Sequence, residues 1–394
     1  MNSLLEAGVP STPADRKTSA GDPATPAVPA RSLKQFISNL DPNSSHSYKT
    51  SGSSNQLMPK IPIIICVDVE PDEREVETQA PKDWVGFENT FESFTNVRSQ
   101  LEQVTGTPAN FSWFFRMDPQ IKHTYGLHDW VIKRYGGPIS QLERAGDELG
   151  LHTHAWRWDD TLLRWVIDHG DQKWINHCVQ VSFEAFQEAF GRPCRSFRFG
   201  DRWMNNETMD LMESMGVDFD LTIEPGRGAR PSVRPGELHT GSFPDYTTAP
   251  SWPYKPCRHD FRKHSGGAKR GLWAIPLSTE KMGGRFPVLN QAAKALGFDY
   301  RKNHEPIPLN LCLHATQFRA MTNTLLEVKA QSYLAPILRT DGCLKLRSKA
   351  NVEQNLTFLL SHSLAKGFEF VTPSEAINIL TRQHLPDKAA SAQC

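Results

Sequence analysis

The stretch that most constrains the fold is residues 61–72, IPIIICVDVEPD. Its opening is apolar and mostly β-branched, with Pro62 the one interruption. A solid apolar run, too short for a typical helix, is the pattern of a strand buried on both faces, as in the parallel sheets of α/β proteins. Three carboxylates follow at once: Asp68, Glu70 and Asp72. Loops after the carboxyl ends of parallel strands are where such folds place ligands and chemistry. Asp68 and Glu70 therefore open a candidate active site, and later strands must supply the rest.

From residue 61 onward strand-like and helix-like pieces alternate. Strands are expected over 63–69, 110–115, 148–152, 196–199, 219–223, 272–277, 308–314 and 368–371. Amphipathic stretches lie between them at 91–104, 130–145, 160–190, 207–215 and 351–365. Seven or eight such units, in roughly 310 residues, fit a closed (β/α) barrel better than an open sheet. Residues 225–270, rich in Gly, Pro, Arg and His, break the rhythm and read as a long loop over the barrel mouth. Residues 1–58 are dominated by small, polar and Pro residues and read as a disordered leader. The barrel domain is expected over 59–384, with a flexible tail at 385–394.

With 44 basic and 44 acidic side chains, nothing in the charge balance suggests nucleic acid or an anionic membrane as an electrostatic partner. Seven cysteines without a CxxC fit a reducing compartment, and Cys66 and Cys312 sit in apolar runs as small hydrophobes. No basic-then-apolar leader and no 18-residue apolar segment is present, so a cytoplasmic protein without a membrane span is expected. Oligomeric state is not legible.

Nearly every strand candidate ends in residues that do chemistry. Strand two ends in Arg116 and Asp118, strand three in His152, His154, Trp156, Trp158 and Asp159. Strand four ends in Arg198, Asp201, Arg202 and Trp203, strand five in Glu224, and strand seven in His314. In a (β/α) barrel all these ends face one mouth. His152 and His154, two apart in extended backbone, point to the same side and can reach one ion. With a carboxylate from strand one they make a two-His, one-carboxylate set suited to a hydrolytic metal. One carboxylate can then ligate while the other acts as base. Arg198 and Arg202 can orient an acid or stabilise an oxyanion, or simply pair with Asp201. The tryptophan faces suit sugar rings, though each alone is as readily packing. His314 is the candidate general acid, against a buried structural histidine.

In this order, over residues 61–380, these segments resemble the polysaccharide deacetylases, the carbohydrate esterases of NodB homology. Val67-Asp68-Val69-Glu70 is similar to the family's first motif, and residues 148–152 to the lead-in of the second. There the position four residues after His152 is Trp156, so His154 is the candidate second ligand, a form similar to the WalW-like branch. FRFGDRW (197–203), DFDLTIEPG (218–226), GLWAIPL (271–277), His314 and FVTPSEA (370–376) are similar to the later motifs. The resemblance implies a distorted (β/α) barrel of about seven parallel strands and removal of an acyl group, acetyl or formyl, from a sugar or polysaccharide. It implies a divalent metal, zinc first, on Glu70, His152 and His154. Asp68 would be the base, Arg198 its orienting partner and His314 the acid. Arg116, Asp118, Trp156, Trp158, Asp201, Arg202, Trp203 and Glu224 would line the substrate site. The alternatives are a non-catalytic glycan-binding or regulatory barrel and a metal-independent cyclic-amide hydrolase.

Overall fold

The computed structural model describes residues 60–76, 82–230, 237–277, 335, 337–340 and 367–383. The leader 1–58, the strand 308–314 with Cys312 and His314, the helix 351–365 and the tail 385–394 lie outside the described residues. Within them the chain alternates strand and helix as its apolar runs dictate. β1 (Ile61–Ile63) and β2 (Cys66–Val69) are followed by helix α1 (Val85–Thr105) and β3 (Ser112–Arg116). Short helices α2 (Pro119–Tyr125), α3 (Trp130–Arg134) and α4 (Gly136–Arg144) lead to β4 (Glu148–Thr153). Next come β5 (Trp156–Asp159), β6 (Arg164–Asp168), α5 (Gln172–Phe190), β7 (Ser196–Phe199) and α6 (Asn206–Ser214). β8 (Phe219–Asp220), β9 (Leu238–Thr240), β10 (Trp273–Ala274), β11 (Ile337–Arg339), β12 (Phe368–Phe370) and α7 (Pro373–Gln383) complete the described chain.

Seven strands form one sheet in the order β10-β8-β7-β4-β3-β2-β11, and every pairing in it is parallel. The α/β architecture is the expected one, a distorted (β/α) barrel whose main sheet has seven parallel strands. Among the described residues β10 and β11 do not pair, so the ring is not closed by them. The first strand, expected over 63–69, is divided. β1 pairs with β12, while β2 pairs with β3 and β11, so its two halves follow different neighbours.

Alternation within the strands separates two apolar layers. Val67, Trp113, Phe115, Leu149, Leu151, Phe197 and Phe199 join the large cluster that includes Phe87, Phe94 and Leu101 of α1 and Ile175, Val179 and Phe186 of α5. Cys66 and Phe114 join Phe219, Leu221, Ile275 and Ile377 in a second cluster on the opposite face. Two positions along from Cys66 and Phe114 stand Asp68 and Arg116, and Arg116, His152 and Arg198 are neighbours across the sheet in register. Because the pairing is parallel, these side chains all arrive at one edge.

Two helix expectations change. The stretch 160–190 is not one helix. β5 and β6 make an antiparallel hairpin, β6 adds β9 in parallel, and only α5 is helical. The cause is Trp156, Trp165 and Ile167, which bury together with Trp158 packed against them. Asp159 accepts the N–H groups of Thr161 and Leu162 at 2.8 and 2.9 Å and turns the hairpin. The stretch 130–145 is broken at Tyr135, whose hydroxyl accepts the N–H of Trp84 at 2.8 Å. Residues 225–270 are not bare loop either. Besides β9 they hold buried Tyr246, Tyr254, Cys257 and Phe261 and isolated bridges to Ala274 and Lys269. Asp72 does not enter the site: it accepts from Val85 and Gly86 at 3.1 and 2.8 Å and caps α1. No described helix is long and apolar enough to cross a membrane. Cys66, Cys178, Cys194 and Cys257 are buried free thiols.

One carboxylate ties α1 to the sheet. Asp147 accepts from Arg98 Nη1 and Nη2 at 2.9 and 2.7 Å, from the Phe111 N–H at 2.9 Å and from Trp113 Nε1 at 2.9 Å. Asp147→Ala leaves those donors unmet in a dry interior. It is expected to destabilise the fold by about 3 kcal/mol, read as a lowered midpoint in urea at unchanged m-value.

Candidate metal centre

The site is assembled where β2, β3, β4 and β7 end together. Asp68, Glu70, His152 and His154 are 1, 3, 1 and 1 % exposed. Nε2 of His152 and Nε2 of His154 lie 3.0 Å apart, and Oε2 of Glu70 lies 3.8 and 3.7 Å from them. Their remaining contacts assign the protons. Nδ1 of His152 faces the Arg198 carbonyl at 3.3 Å, an acceptor only, so this nitrogen carries hydrogen. Nδ1 of His154 faces the Asp201 carboxylate at 3.0 Å, which also only accepts. Trp156 Nε1 approaches the same Nδ1 at 3.1 Å. The two claims conflict, and the charge-assisted bond to Asp201 prevails because that carboxylate is ionised. Burial alone would raise the Asp201 carboxyl, but Arg74 and His154 hold it well below the usual range.

In the neutral tautomers with hydrogen on Nδ1, both Nε2 atoms present bare lone pairs to each other, and Glu70 adds a third acceptor. Three facing acceptors without a donor repel, and a shared cation removes the conflict. The size is right. A triangle with those three edges has a circumradius of about 2 Å, the length of a zinc–nitrogen or zinc–oxygen bond. Among the described residues Glu70, His152 and His154 are the group of His, Cys, Asp and Glu able to hold an ion. Two imidazoles and a carboxylate, each braced from behind, are a donor set for a borderline divalent metal.

Arginines compensate the two acids. Arg198 Nε donates to Asp68 Oδ1 at 2.7 Å, and its Nη1 donates to the Leu221 carbonyl at 3.1 Å. Arg339 Nη2 lies 2.6 Å from Glu70 Oε1, and Arg116 Nη1 lies 3.9 Å from Oε2. Burial pushes the Asp68 carboxyl up, with Arg198 opposing. Burial would also raise Glu70, but Arg339 holds it well below the carboxylate range. Burial and the neighbouring His154 keep His152 neutral, its pKa well below that of free imidazole. The different environments divide the pair into a fixed anion and a proton acceptor.

Of the other expected substrate contacts, Asp118, Trp156 and Trp203 are packed inside the fold. Asp118, wholly buried, caps α2 through the Gln120 N–H, pairs with Arg116 and accepts the His154 N–H at 3.0 Å. It positions the histidine rather than facing a cleft. Trp156, 1 % exposed, lies against His154 with the Arg74 guanidinium 5.0 Å over its ring, so it has no open face for a sugar. Trp203 is buried, stacked on His169. Trp158 is half-buried against Trp165 and His123. Glu224 pairs with Arg227 at 3.6 Å. Arg202 is buried beside Gly228. His314 lies outside the described residues.

Sequence reading missed Arg74, Thr340, Arg339 and Gly200. Arg339 and Thr340 lie in β11 and just beyond it, far from any motif, and Thr340 Oγ1 meets both the N–H and the carbonyl of Glu70 at 3.0 and 2.9 Å. Gly200 was visible inside FGDRW: a Cβ there would stand 2.2 Å from the His154 ring.

No family model and no curated protein matches the chain. Among solved structures it is similar to a polysaccharide deacetylase from Pseudomonas aeruginosa PAO1, at 11 % identity and TM-score 0.47, over 83 % of this chain and 93 % of that one. It is similar to the allantoinase Puue at 11 % identity and TM-score 0.47, over 85 % and 95 %. It is also similar to a polysaccharide deacetylase from Mycobacterium smegmatis at 11 % and 0.42, over 86 % and 96 %. At such identities and TM-scores these likenesses carry nothing about activity. The site defines a class by its own geometry, an α/β protein with a buried cluster of two histidines and a carboxylate that could hold a metal ion.

Two outcomes are expected. Gly200→Ala drives a methyl into His154 and should cost about 2 kcal/mol of stability and weaken zinc binding at least tenfold in a competition titration. Gly137→Ala, in helix α4 where nothing lies within 4 Å, should leave zinc binding unchanged and cost no stability. Asp220 is wholly buried with Oδ2 unbonded, and burial lifts its pKa to about 7 despite the Thr222 hydroxyl at 2.6 Å. Folded Asp220 binds a proton that the unfolded chain releases near the ordinary value of 3.8, so this site's contribution falls as pH rises between those values. The slope is up to about 1.4 kcal/mol per pH unit. Asp220→Asn should flatten the fall of the melting temperature between about pH 4 and 7.

Proposed function

We propose that this protein is a metal-dependent hydrolase that removes an acyl group, acetyl or formyl, from an amide or ester of a sugar or polysaccharide. The reading is carried by one observation: two imidazole lone pairs and a carboxylate oxygen converge at the radius of a zinc site, with a second carboxylate beside them. Glu70, His152 and His154 would hold the ion, zinc on its donor set. Bound there, such an ion supplies Lewis acidity toward an acyl carbonyl and makes water acidic enough to attack at neutral pH.

The chain's own residues divide the proton traffic. Asp68 has Oδ1 locked by Arg198, while Oδ2 lies 3.8 Å from His152 Nε2 and faces the centre. That oxygen takes the proton of the attacking water. Burial strengthens it as a base, and Arg198 keeps it ionised and fixed in rotamer. Arg198 is thus a positioning residue. Asp201 holds His154 in the tautomer whose Nε2 faces the centre, and Arg74 keeps Asp201 charged. The final proton, to the leaving amine or alkoxide, is assigned to His314 from the sequence resemblance. Trp158, Arg202 and Glu224 remain the substrate contacts, the partner is carbohydrate, and the site of action is cytoplasmic.

The test uses the full chain loaded with zinc and a panel of N-acetyl and N-formyl amino sugars. Acetate or formate release is expected, abolished by a chelator and restored by metal. Asp68→Asn should lower the rate by about 10³-fold while retaining zinc by elemental analysis. A protein that binds a glycan but releases no acid is a lectin-like barrel. Turnover indifferent to chelators would sink the metal mechanism.

A further inference from the structure

Arg202 ends the tight 3-10 turn Gly200–Arg202, one residue after the aspartate that braces His154. Asp201 and Arg202 both have left-handed backbone, φ 55° and 52°, uncommon for residues that carry a Cβ. The Arg202 side chain is held in this turn and Tyr246 secures it, its hydroxyl donating to the Arg202 carbonyl at 2.9 Å. Arg202 is only 5 % exposed, yet its Nε and Nη1 have no hydrogen-bond partner. Only Nη2 donates, to the Gly228 carbonyl at 3.1 Å. Three N–H groups are thus unmet in a side chain that cannot shed its charge.

The surroundings add to the deficit. Residues 225–230, PGRGAR, carry two arginines and no acid. Arg227 and Arg230 are exposed and close enough to Arg202 to act on it electrostatically, and with burial they push its pKa down. The carboxylate within reach is Glu224, already paired with Arg227 at 3.6 Å. Arg202 thus has two further arginines and one already paired carboxylate within electrostatic range. Water could accept the unmet hydrogens, but only an anion also answers the charge. Glu224 lies within electrostatic range of both Arg198, which holds the Asp68 base, and Arg202. That links the arginine cluster to the reacting end of the site. The acceptor Gly228 belongs to the exposed stretch 226–230, so the buried guanidinium lies close beneath solvent.

We propose that Arg202, supported by Arg227 and Arg230, is the oxyanion-binding subsite for the substrate, so that the sugar acted on carries a carboxylate or phosphate. This specifies the substrate class of the hydrolase described above and rests on that reading for its place in the reaction. Arg202 meets the oxyanion directly, and the two exposed arginines supply the field that draws it in.

The experiment is isothermal titration of the zinc-loaded full chain with inorganic phosphate and with glucuronate, at two ionic strengths. Hydrolysis of N-acetylglucosamine is compared alongside with that of N-acetylglucosamine 6-phosphate and of an N-acetylated aminouronate. Both anions are expected to bind the wild type, and the tighter of the two names the source. Arg202→Gln should weaken them tenfold or more, and Arg230→Gln about threefold with a shallower salt dependence. The anionic sugar should be preferred, and Arg202→Gln should erase that preference through KM. If Arg202→Gln does not fold, the surface double variant Arg227→Gln with Arg230→Gln decides, and unchanged anion affinity in it overturns the proposal. Equal affinity in wild type and Arg202→Gln overturns it too. Arg202-dependent anion binding with no acyl release from any sugar defeats the hydrolase and leaves the subsite standing. Release indifferent to the substrate's charge and to these variants does the reverse.

Discussion

At the carboxyl end of β2, Asp68 and Glu70 are held out of water within two residues of one another. Two ionised carboxylates in a dry interior repel and lose their hydration, and the cost is large unless positive charge and donors replace the water. The surrounding structure is arranged to supply them. Arg198 reaches Asp68 from β7, Arg339 reaches Glu70 from β11, and Arg116 stands within 3.9 Å from β3. Only a parallel sheet, which brings the ends of these strands to one edge, delivers three guanidinium groups and two imidazoles to the same few ångströms. The compensation is unequal, and the inequality leaves Glu70 a permanent anion and Asp68 a carboxylate disposed to take a proton.

The second layer exists to keep two nitrogen lone pairs aimed at each other. An imidazole left to itself would rotate. His152 is prevented by the Arg198 carbonyl, His154 by Asp201 at one nitrogen and by Asp118 at its backbone. Asp201 reaches that position from a left-handed residue, and Gly200 beside it leaves room for the ring because it lacks a Cβ. Backbone strain and a glycine at one turn are thus explained by one side chain. The hairpin β5–β6 closes over the same histidine with Trp156, and Arg74 lies between that indole and Asp201.

Much of this was legible in the residues, for definable reasons. The solid apolar run at residues 61–69 and the strand-end carboxylates depend only on local pattern, and they located β2 and its chemistry. His152 and His154, two apart on extended backbone, must share a face, and they do. Trp156 was legible as a departure from the family's spacing but not as a packing partner of His154. The hairpin at residues 156–168 escaped because aromatic residues alternating with arginines satisfy a helix template and a strand template alike. Arg339 and Thr340 escaped because nothing in their local sequence refers to Glu70, which stands 270 residues earlier in the chain.

By itself the sequence determined which residue types could meet: an acidic pair, two histidines and several arginines, each at the end of a strand-forming run. Strand propensity and the period of two are short-range properties, so the chain carries them openly. Only the tertiary structure decided what each residue does. The same carboxylate is a fixed anion beside Arg339, is pushed toward proton uptake by burial beside Arg198, is a helix cap at Asp72 and is shifted toward its neutral form by burial at Asp220. Charge in a protein interior is set by what lies within a few ångströms, and those neighbours are brought together by the fold, not by the sequence order.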